Sequence, residues 1–570
     1  MLFAKAKDPT FWKKVSESPD YQNLIDELLY LYNTCCQEEI PILRYSNYKI
    51  FYGSGSRKEH EVPYFLRRTR LNTCAMLCLI YPEQPEYLEK LQDIIWAICD
   101  EYCWAMPAHV TDIEHNDNTY LDLFACETGF ALSEIAYLLG DRFDPLVNAR
   151  IDTELNRRVI DSFLNRRFSF ETMTNNWAAV CAGSVAITFM YRRPDLFASI
   201  KPRIDAAIEC FLSSYKADGV CREGLGYWIY GFGFFTYYAD LLRQFSDGEY
   251  DYFKQERVRT IATFQQKMFL QNDVTVSFAD GSITGSHMLG LSHFLKAEFP
   301  DDVVVPPAKY RSTRVGGEGD DAARWCHVIR SFVFLNPAYN VESELESTQY
   351  YMPESAWYIK KTPRYALAAK AGDNDEPHNH NDVGSFLFVT GGRQALCDLG
   401  AGEYTRQYFR PETRYTIFCN SSVSHNVPII NGAAQKEGAE HKGTMRVDGD
   451  VVTMEFASAY EVSGLKTLTR TLETKEDKIL LHDCFVSDSP FKEIRERFVS
   501  KDKPIVSGCT VTAGGAVIRF SADCASVSVS EQESNTHNIH KGCGKETIYC
   551  IDFILNAGQT AFDAEISVIE

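Results

Sequence analysis

The sequence predicts an α+β multidomain protein in which a helical N-terminal domain is followed by a large antiparallel β-sandwich. Three observations support this prediction. The chain has 570 residues, which is too many for one ordinary hydrophobic core. Apolar residues recur at helical spacing from about residue 20 to about residue 300, whereas after about residue 345 the apolar runs are short and separated by turns. We therefore expect a boundary near residue 340, with domains at 1–340 and 341–570.

The helical domain is predicted from its apolar spacing and from the residues that interrupt it. Asp144 followed by Pro145 has the sequence of a helix start with proline in the first turn. We expect roughly ten helical segments, paired as α/α hairpins that can close into a toroid. The clearest helical patterns lie at 24–31, 71–80 and 91–98.

The β-sandwich is predicted from short apolar runs between turn residues in the second half of the chain. A Gly-Gly pair at 391–392 predicts a hairpin turn between the runs 385–390 and 393–399. In that hairpin Thr390 would pair with Arg393. Further runs of the same kind continue to the end of the chain, as a large antiparallel sandwich requires.

Composition excludes several classes of partner. The net charge of −20 argues against nucleic acid, and no run approaches the roughly 18–20 apolar residues that span a membrane. The 18 cysteines form no CxxC pair, and the N-terminal residues lack the apolar region of a signal peptide. We therefore expect a cytoplasmic protein. A homo-oligomer is compatible with the sequence.

The densest polar cluster lies at 376–386, where His378 and His380 stand beside Asp382 just before an apolar run. Neutral imidazole is the commonest metal ligand and the side chain best suited to proton transfer near neutral pH. Histidines with this spacing also occur as ordinary hydrogen-bonding residues at strand ends. The spacing alone leaves both interpretations open.

Asp398 and His425 are the residues that could complete a metal site with His380. Two imidazoles and a carboxylate are a common ligand set for Zn²⁺ or Mn²⁺. A regular strand would place His380 about 17 Å along the ladder from Asp398. Either the segment 378–382 leaves the ladder and folds back, or the three residues are unrelated.

Two segments of the helical domain also carry candidate residues. Asn175 and Asn176 place tandem amides before Trp177 at a predicted helix entrance, where capping is the ordinary interpretation. The segment 218–233 is rich in glycine, and glycine costs roughly 1 kcal/mol inside a helix. Close approach of a ligand and tight helix packing explain these glycines equally well. The same segment contains the candidates Arg222, Tyr227 and Tyr230.

Three arginines, Arg406, Arg410 and Arg414, recur every four residues after the histidine cluster. A solvated basic face would show this spacing. The alternative is an anion-binding wall, because arginine forks match carboxylate and sulfate groups. Both interpretations remain open at this point.

Four motifs in this order resemble those of the heparinase II/III superfamily of polysaccharide lyases. The resemblance covers about residues 60–460 and implies an N-terminal (α/α) toroid, a large antiparallel β-sandwich and an active site in the cleft between them. The motifs are Asn-Asn-Trp at 175–177, Glu-Gly-x-Gly-Tyr-Trp-x-Tyr at 223–230, His-x-His-x-Asp-x-Gly-Ser-Phe at 378–386 and Ser-His-Asn-x-Pro-x-Ile-Asn-Gly at 424–432.

The resemblance implies a role for each matching residue. Tyr227 is similar to the family's catalytic tyrosine, with Tyr230 as the second candidate. Asn176, with Asn175 beside it, resembles the asparagine that helps to neutralise the uronate carboxylate, and His378 matches the catalytic histidine. The ligands of one structural divalent metal, usually zinc and sometimes manganese, are matched by His380, Asp398 and His425.

One position departs from the family's pattern. Many members have histidine directly after the asparagine, and here that residue is Trp177. The loss of a base there would limit attack from one face of the sugar or shift the work to Tyr227 and His378. Arg222 is a candidate source of the positive charge that would lower the pKa of Tyr227.

The resemblance implies a lyase that cleaves 4-linked uronic-acid glycans by β-elimination, with glycosaminoglycan fragments such as heparan, chondroitin or hyaluronan as substrates. The substrate-binding candidates are Asn175, Trp177, Arg222, Tyr230, Arg406, Arg410 and Arg414. An oligoalginate lyase is the alternative within this class. Outside it stand a zinc hydrolase that activates water and an acidic-glycan-binding protein without catalysis.

Overall fold

The computed structural model describes residues 2–110, 117–312, 324–343, 346–535 and 544–569. The chain divides into two compact units. The helical unit comprises 1–215, 227–262 and 286–342, and the sheet unit comprises 216–226, 263–285 and 343–570. The sheet unit therefore includes two segments that precede the sandwich strands by many residues in the sequence. Both segments carry residues of the candidate site described below.

The helices lie mainly in the helical unit. Helices α16 and α19 belong to the sheet unit, and two of the three residues of α13 do so as well. In chain order they are α1 Ala4–Lys7, α2 Pro9–Glu17, α3 Gln22–Leu31, α4 Tyr45–Tyr48, α5 Ile50–Ser54, α6 Lys58–Ile80, α7 Pro85–Cys99, α8 Leu123–Leu139, α9 Pro145–Leu155, α10 Asp161–Asn165, α11 Asn176–Arg192, α12 Pro194–Ser213, α13 Leu225–Tyr227, α14 Gly233–Phe245, α15 Glu256–Ala262, α16 Phe264–Met268, α17 Leu289–Glu298, α18 Trp325–Val333 and α19 Pro411–Arg414.

Local sequence explains where several helices begin. The Asp144 side chain accepts a hydrogen bond from the Leu146 backbone N–H at 2.8 Å, so Asp144 caps α9 as the sequence predicts. Helix α12 likewise begins with Pro194 in its first turn. Helices α13 and α14 are joined by a π-helical turn at Trp228–Phe232. Such turns are rare, and they are frequent at functional sites.

One helix among the described residues is long and apolar enough to cross a membrane by length and composition. It spans Leu123–Arg142, with a mean hydropathy of 1.3, and 78% of its apolar window is buried within the structure. The sequence analysis did not single out this segment. Because buried core helices pass the same test, the helix is weak evidence for a membrane span.

Strands occur in the sheet unit, where they form four antiparallel sheets within the described residues. They are β1 Phe269–Gln271, β2 Val274–Thr275, β3 Thr348–Met352, β4 Trp357–Lys361, β5 Tyr365–Lys370, β6 Gly372–Asn374, β7 Phe386–Thr390, β8 Arg393–Leu396, β9 Ile429–Ile430, β10 Gly438–Asp448, β11 Val451–Glu455, β12 Leu465–Thr474, β13 Lys478–Ser487, β14 Ile494–Ser500, β15 Ile505–Ser507, β16 Thr510–Ala513, β17 Ala516–Phe520, β18 Ala525–Asn535, β19 Lys545–Leu555 and β20 Ala561–Val568.

The strand orders show how the sheets are built. The largest sheet has nine strands in the order β15-β16-β17-β20-β13-β12-β11-β10-β6. The others have the orders β18-β19-β14-β9, β3-β4-β5-β7-β8 and β1-β2. Burial alternates along β12 and β13, as expected for strands with one face on a core. The predicted helical half followed by antiparallel sheets is therefore observed.

An aromatic chain runs through the core of the sheet unit. Phe386 packs edge to face on Phe498 at 5.5 Å between ring centroids, and Phe498 packs on Phe553 at 5.4 Å. Phe562 continues the chain from Phe553 at 5.1 Å. Such pairs stabilise a core by roughly 0.5–1.5 kcal/mol beyond their buried area. Because Phe386 begins β7, this core anchors the end of the histidine-bearing loop.

The predicted hairpin is confirmed at its turn and changes further along. Thr390 pairs with Arg393, and the register shifts by an irregularity between Phe388 and Val389. Strand β7 begins only at Phe386, so residues 378–382 lie in turns and bends outside the ladder. Of the two alternatives that the sequence left open, the structure therefore shows the one in which 378–382 leaves the ladder.

Candidate functional site

His380, Asp398 and His425 form a buried group that could hold a metal ion. One ligand atom from each residue lies within 4.8 Å of the other two. Among the described residues His380 Nδ1, Asp398 Oδ2 and His425 Nδ1 make no hydrogen bond, although His425 Nδ1 lies only 3.1 Å from Asp398 Oδ2. A buried polar atom without a partner costs about 1–3 kcal/mol. Three such atoms that converge on one point fit a cation, whose bonds would satisfy all of them at once.

In His380 and His425 the hydrogen bond of Nε2 determines which ring nitrogen can bind a metal. His425 Nε2 lies 3.0 Å from the Cys419 carbonyl oxygen, which can only accept, so Nε2 carries the hydrogen. His380 Nε2 lies 3.1 Å from Asp280 Oδ1 and donates in the same way. Each Nδ1 therefore keeps its lone pair for a ligand. Metal-binding histidines usually have such partners, which orient the ring.

Asp280 is a buried carboxylate that the sequence analysis missed. Among the described residues five side chains donate hydrogen bonds to it or pair with it: His378 Nδ1 at 2.5 Å, His380 Nε2 at 3.1 Å, the Tyr404 hydroxyl at 2.9 Å, the Tyr408 hydroxyl, and Arg414 Nη2 at 3.4 Å. Burial alone would raise the pKa of Asp280, but its partners, His378 first, hold it well below its ordinary value. Asp280 is therefore an anion that joins the metal group to His378.

Backbone geometry explains why Asp280 reaches this position. Ala279 adopts a left-handed conformation with φ 57°, which is uncommon outside glycine. Any Cβ at Gly400 would collide with the Gly281 carbonyl oxygen, so glycine at 400 permits the close approach of the two loops. Ser277 Oγ also donates to the Asp398 carbonyl oxygen at 3.0 Å. The segment 263–285 is thus joined to the loop that carries the metal group.

His378 lies between two carboxylates of the sheet unit. Its Nδ1 contacts Asp280, and its Nε2 lies 3.7 Å from Glu223 Oε2. Burial alone would lower the pKa of His378, but the charge of Asp280 more than offsets this and raises it. Burial raises the pKa of Glu223. His378 also has a left-handed backbone, φ 56°, and such strain is frequent at functional sites.

A buried arginine holds the two loops that carry the histidines. Arg470 Nη1 donates to the Gly384 carbonyl at 2.9 Å and to the Asn426 carbonyl at 2.6 Å. Its charge is matched by Asp483, Oδ2 of which lies 2.5 Å from Nη2. Asp382 has a comparable role, because it pairs with Lys370 at 2.8 Å. Both ion pairs are buried and fix loop positions around the candidate site.

The three predicted arginines do not share one helix face. Helix α19 is only four residues long, and Arg406 precedes a separate 3₁₀ turn. Arg414 is buried and donates to the Asn379 carbonyl at 3.0 Å and the Tyr408 carbonyl at 3.2 Å. Arg410 is exposed and Arg406 half-buried. These two therefore keep the predicted access to an anion, whereas Arg414 supports the Asp280 network.

Arg222 contacts an acid of the sheet unit. Its Nη1 lies 3.2 Å from Glu376 Oε1, and the Glu376 side chain is buried. Glu376 also lies 3.8 Å from Lys370. This pairing gives Arg222 a defined position. The predicted effect of Arg222 on Tyr227 stays a prediction.

In the helical unit, the Asn-Asn-Trp motif opens α11. Asn175 caps the helix and accepts a hydrogen bond from the Trp177 backbone N–H at 3.1 Å, as its ordinary interpretation predicts. Asn176 is buried as the first residue of α11. A Cβ at Gly231 would lie 3.1 Å from Asn176 Cβ, so glycine there allows close packing. At this position helix packing, and not ligand approach, accounts for the glycine.

The two candidate tyrosines differ in their surroundings. Tyr230 is buried; its hydroxyl donates to Glu127, and Arg324 Nε pairs with Glu127 Oε2 at 3.0 Å. Burial, followed by the charge of Glu127, raises the pKa of Tyr230 well above its ordinary value. Tyr227 is half-buried. Tyr227 is therefore the more exposed of the two.

Trp177 lies against a histidine that the sequence analysis did not consider. The two ring centroids are 4.8 Å apart, with His109 at an angle of 67° to the indole. His109 Nδ1 lies 2.7 Å from Asp122 Oδ2, and Asp122 also caps α8 through the Ala125 backbone N–H. No sequence motif marks the pair of His109 and Asp122, since the two residues are 13 positions apart in the sequence.

Comparison of sequences relates the sheet unit to one family. Residues 347–549 match the model of the heparinase II/III-like C-terminal domain. This stretch contains His378 and the three candidate metal ligands. The resemblance seen in the motifs is therefore confirmed for this part of the chain. A search of curated protein sequences found no match.

Solved structures with a similar fold extend over both units. A heparinase III has a TM-score of 0.60 at 11% identity, covering 95% of this chain and 84% of that one. A heparan sulfate lyase from Pedobacter heparinus has a TM-score of 0.54 at 13% identity, covering 97% and 91%. A chondroitin AC lyase from Streptomyces coelicolor, in complex with chondroitin sulphate, has 0.55 at 9% identity, covering 98% and 82%. These likenesses confirm the predicted fold class, an (α/α) toroid followed by a β-sandwich.

Proposed function

We propose that the protein is a polysaccharide lyase that cleaves 4-linked uronic-acid glycans of the glycosaminoglycan type by β-elimination. The proposal rests on the hydrogen bonds of Asp280. Its buried carboxylate contacts both His378 and the candidate metal ligand His380. His378 and His380 lie within the stretch that matches the heparinase II/III-like domain, whereas Asp280 precedes it. The similar folds of a heparinase III, a heparan sulfate lyase and a chondroitin AC lyase support the same class.

The chemistry of β-elimination determines what the residues must do. The C5–H bond breaks, its electron pair forms the C4=C5 double bond, and the C4–O bond breaks as the leaving oxygen gains a proton. The C5 proton becomes acidic only when the neighbouring uronate carboxylate is neutralised. Asn176, with Asn175 beside it, supplies amide donors for that carboxylate. Donors directed at the developing enolate stabilise the transition state more than the bound substrate.

Tyr227 takes the C5 proton and returns a proton to the leaving oxygen. Tyr227 is half-buried, whereas Tyr230 is buried. The Tyr230 hydroxyl is already bonded to Glu127, and its pKa is raised well above the ordinary value, so it is a poor base. The contacts of Tyr230 therefore support the choice of Tyr227, which the sequence motif also favours.

His378 binds the substrate carboxylate in this proposal. Its raised pKa favours the imidazolium form, which donates hydrogen bonds and does not accept a proton. Asp280 keeps the ring in place through Nδ1. We assign the substrate carboxylate to Nε2, which lies 3.7 Å from Glu223 Oε2. A role as base for the opposite C5 epimer is the second possibility for His378, and its raised pKa makes that role the weaker one.

His380, Asp398 and His425 would hold one divalent cation, with zinc as the first expectation and manganese as the alternative. Bound there, the ion would supply structural cross-linking of the loops. His380 is two residues from His378, so the position of the substrate-binding histidine depends on this group. Arg470 and Asp280 hold the same loops from the protein side.

Replacing His425 by alanine is expected to reduce the bound divalent metal to well below one equivalent per chain and to lower the melting temperature. One of three ligands is lost, and Asp398 is left without its neighbour. Metal content by elemental analysis and thermal unfolding measure the two effects. His482→Ala is the matched control, because His482 forms an exposed pair with Asp563 at 2.8 Å. Wild-type protein without a bound metal would refute the ligand assignment.

The reaction class is tested by ultraviolet absorbance of the unsaturated uronate. Heparan, chondroitin, hyaluronan and alginate fragments are incubated with the pure protein, and at least one is expected to yield the absorbance. New reducing ends without absorbance would indicate a hydrolase that uses the same three ligands to activate water. Binding without either product would indicate a glycan-binding protein, and product from alginate alone would indicate an oligoalginate lyase.

A further inference from the structure

Phe409 is an exposed aromatic residue beside His378. It ends the 3₁₀ turn Gln407–Phe409, and 44% of its surface is exposed. Its ring nevertheless makes three edge-to-face contacts. The ring centroids lie 4.9 Å from Tyr404, 5.3 Å from Tyr408 and 6.0 Å from His378. One side of the phenyl ring is therefore held by neighbours, while the rest is open to solvent.

Two residues that contact Phe409 also donate hydrogen bonds to Asp280, the carboxylate that holds His378. The hydroxyls of Tyr404 and Tyr408 both donate to Asp280, as does His378 Nδ1. Asp280 is buried. The orientation of the Phe409 ring relative to His378 is thus set by packing on groups with fixed hydrogen bonds. A preorganised aromatic ring loses little conformational entropy when a ligand binds.

A single exposed aromatic residue is common and has no meaning by itself. Phe409 differs because two arginines lie close to it in the sequence: Arg410 follows it directly, and Arg406 precedes it by three residues. Arg410 is exposed and Arg406 is half-buried, and guanidinium groups match sulfate and carboxylate. The acids Glu403 and Glu412 lie in the same stretch; Asn535 donates to Glu403 at 3.2 Å. A flat apolar ring beside the histidine assigned to the uronate, in a segment that also carries Arg406 and Arg410, suits one sugar unit of an acidic glycan.

We propose that Phe409 forms a subsite in which its ring stacks on the apolar C–H face of the pyranose next to the uronate. Arg410 and Arg406 bind the sulfate or carboxylate groups of that sugar. The inference rests on the proposed function, because it takes His378 as the position of the uronate. It adds a residue that determines which sugar is accepted beside the cleavage site and how tightly the glycan is held.

Stacking on Phe409 is the same in the bound substrate and in the transition state, because the reacting bonds lie on the neighbouring sugar. An interaction of this kind changes KM and leaves kcat unchanged. We therefore expect Phe409→Ala to raise KM about tenfold, as the loss of one aromatic contact does, with kcat within about twofold of wild type. Phe409→Trp, which keeps a flat ring, should retain the wild-type KM.

Direct binding separates the subsite from the chemistry. Heparan, chondroitin, hyaluronan and alginate tetrasaccharides are titrated calorimetrically into the Tyr227→Phe protein, with and without Phe409→Ala. The second substitution should weaken the Kd of the best tetrasaccharide about tenfold. Phe409→Leu, which keeps apolar packing on Tyr404 without a flat ring, should bind as weakly as Phe409→Ala. Tyr351→Ala is the control, since Tyr351 is 38% exposed on β3 and lies outside this cluster.

The outcomes distinguish the two proposals. A Kd that stays within twofold in Phe409→Ala, or a loss of the same size in Tyr351→Ala, would overturn the stacking subsite and leave the lyase assignment intact. Binding that depends on Phe409, together with no unsaturated product from the wild-type protein on any of the same glycans, would support the subsite and overturn the lyase chemistry. If no tetrasaccharide binds even with Phe409 present, both the substrate class and the subsite are wrong.

Discussion

Tyr227→Phe should abolish β-elimination while leaving the protein folded. The phenol hydroxyl both accepts the C5 proton and protonates the leaving oxygen in the proposed mechanism. General acid–base catalysis contributes about 10²–10⁴-fold to a rate, so kcat should fall at least about 10³-fold when both steps lose their catalyst. The initial rate of ultraviolet absorbance measures kcat, and circular dichroism with thermal unfolding verifies the fold.

Tyr230→Phe is the matched control for this experiment. The Tyr230 hydroxyl is buried and bonded to Glu127, with Arg324 on the other carboxylate oxygen. Loss of a hydrogen bond to a charged group should reduce the free energy of unfolding by about 1.5–3 kcal/mol, with kcat within about tenfold of wild type. The assignment is reversed if Tyr230→Phe is inactive and Tyr227→Phe turns over normally.

Asp280→Ala should destabilise the sheet unit and release the metal ion that we propose at His380, Asp398 and His425. The substitution leaves the buried Arg414 without its carboxylate and frees the donors on His378 and His380. Removing one partner of a buried ion pair costs about 3–5 kcal/mol. Denaturant unfolding should therefore show a loss of that size. Metal content and lyase activity should fall with it, because the ring of His380 loses its orientation.

Asp273→Ala is the corresponding control. Asp273 is exposed in the turn between β1 and β2, in the same segment as Asp280. Exposed substitutions of this kind change stability by within about 0.5 kcal/mol. If Asp280→Ala unfolds within about 1 kcal/mol of wild type and keeps its metal, then Asp280 does not organise the site.

Local signals account for the parts of the fold that could be predicted. Apolar periodicity separates the helical half from the stranded half, because helices and strands bury their side chains with different periods. The Gly-Gly pair at 391–392 set the hairpin turn, and Thr390 pairs with Arg393 as expected. The rise of a strand also showed, from the sequence alone, that 378–382 must leave the ladder if His380 is to meet Asp398.

The positions of Arg406, Arg410 and Arg414 could not be predicted from their spacing. A repeat of four residues suggested one face, but Pro411 starts a new short helix, and Arg406 lies before a different turn. Burial then separates Arg414 from its two neighbours. Spacing in sequence indicates a shared face only where one helix is continuous, and that continuity depends on tertiary packing.

The sequence by itself determined the fold class, the hairpin next to the site and the identity of His380, Asp398 and His425 as a group. These follow from periods, turns and motifs, which are properties of short stretches. Only the tertiary structure decided that Asp280 joins this group to His378, and that Glu223 lies opposite. Asp280 is separated from His378 by 98 residues. No local pattern reports such a pairing, because it depends on how a loop from the helical half of the sequence packs on the sheets. The same packing orients Phe409.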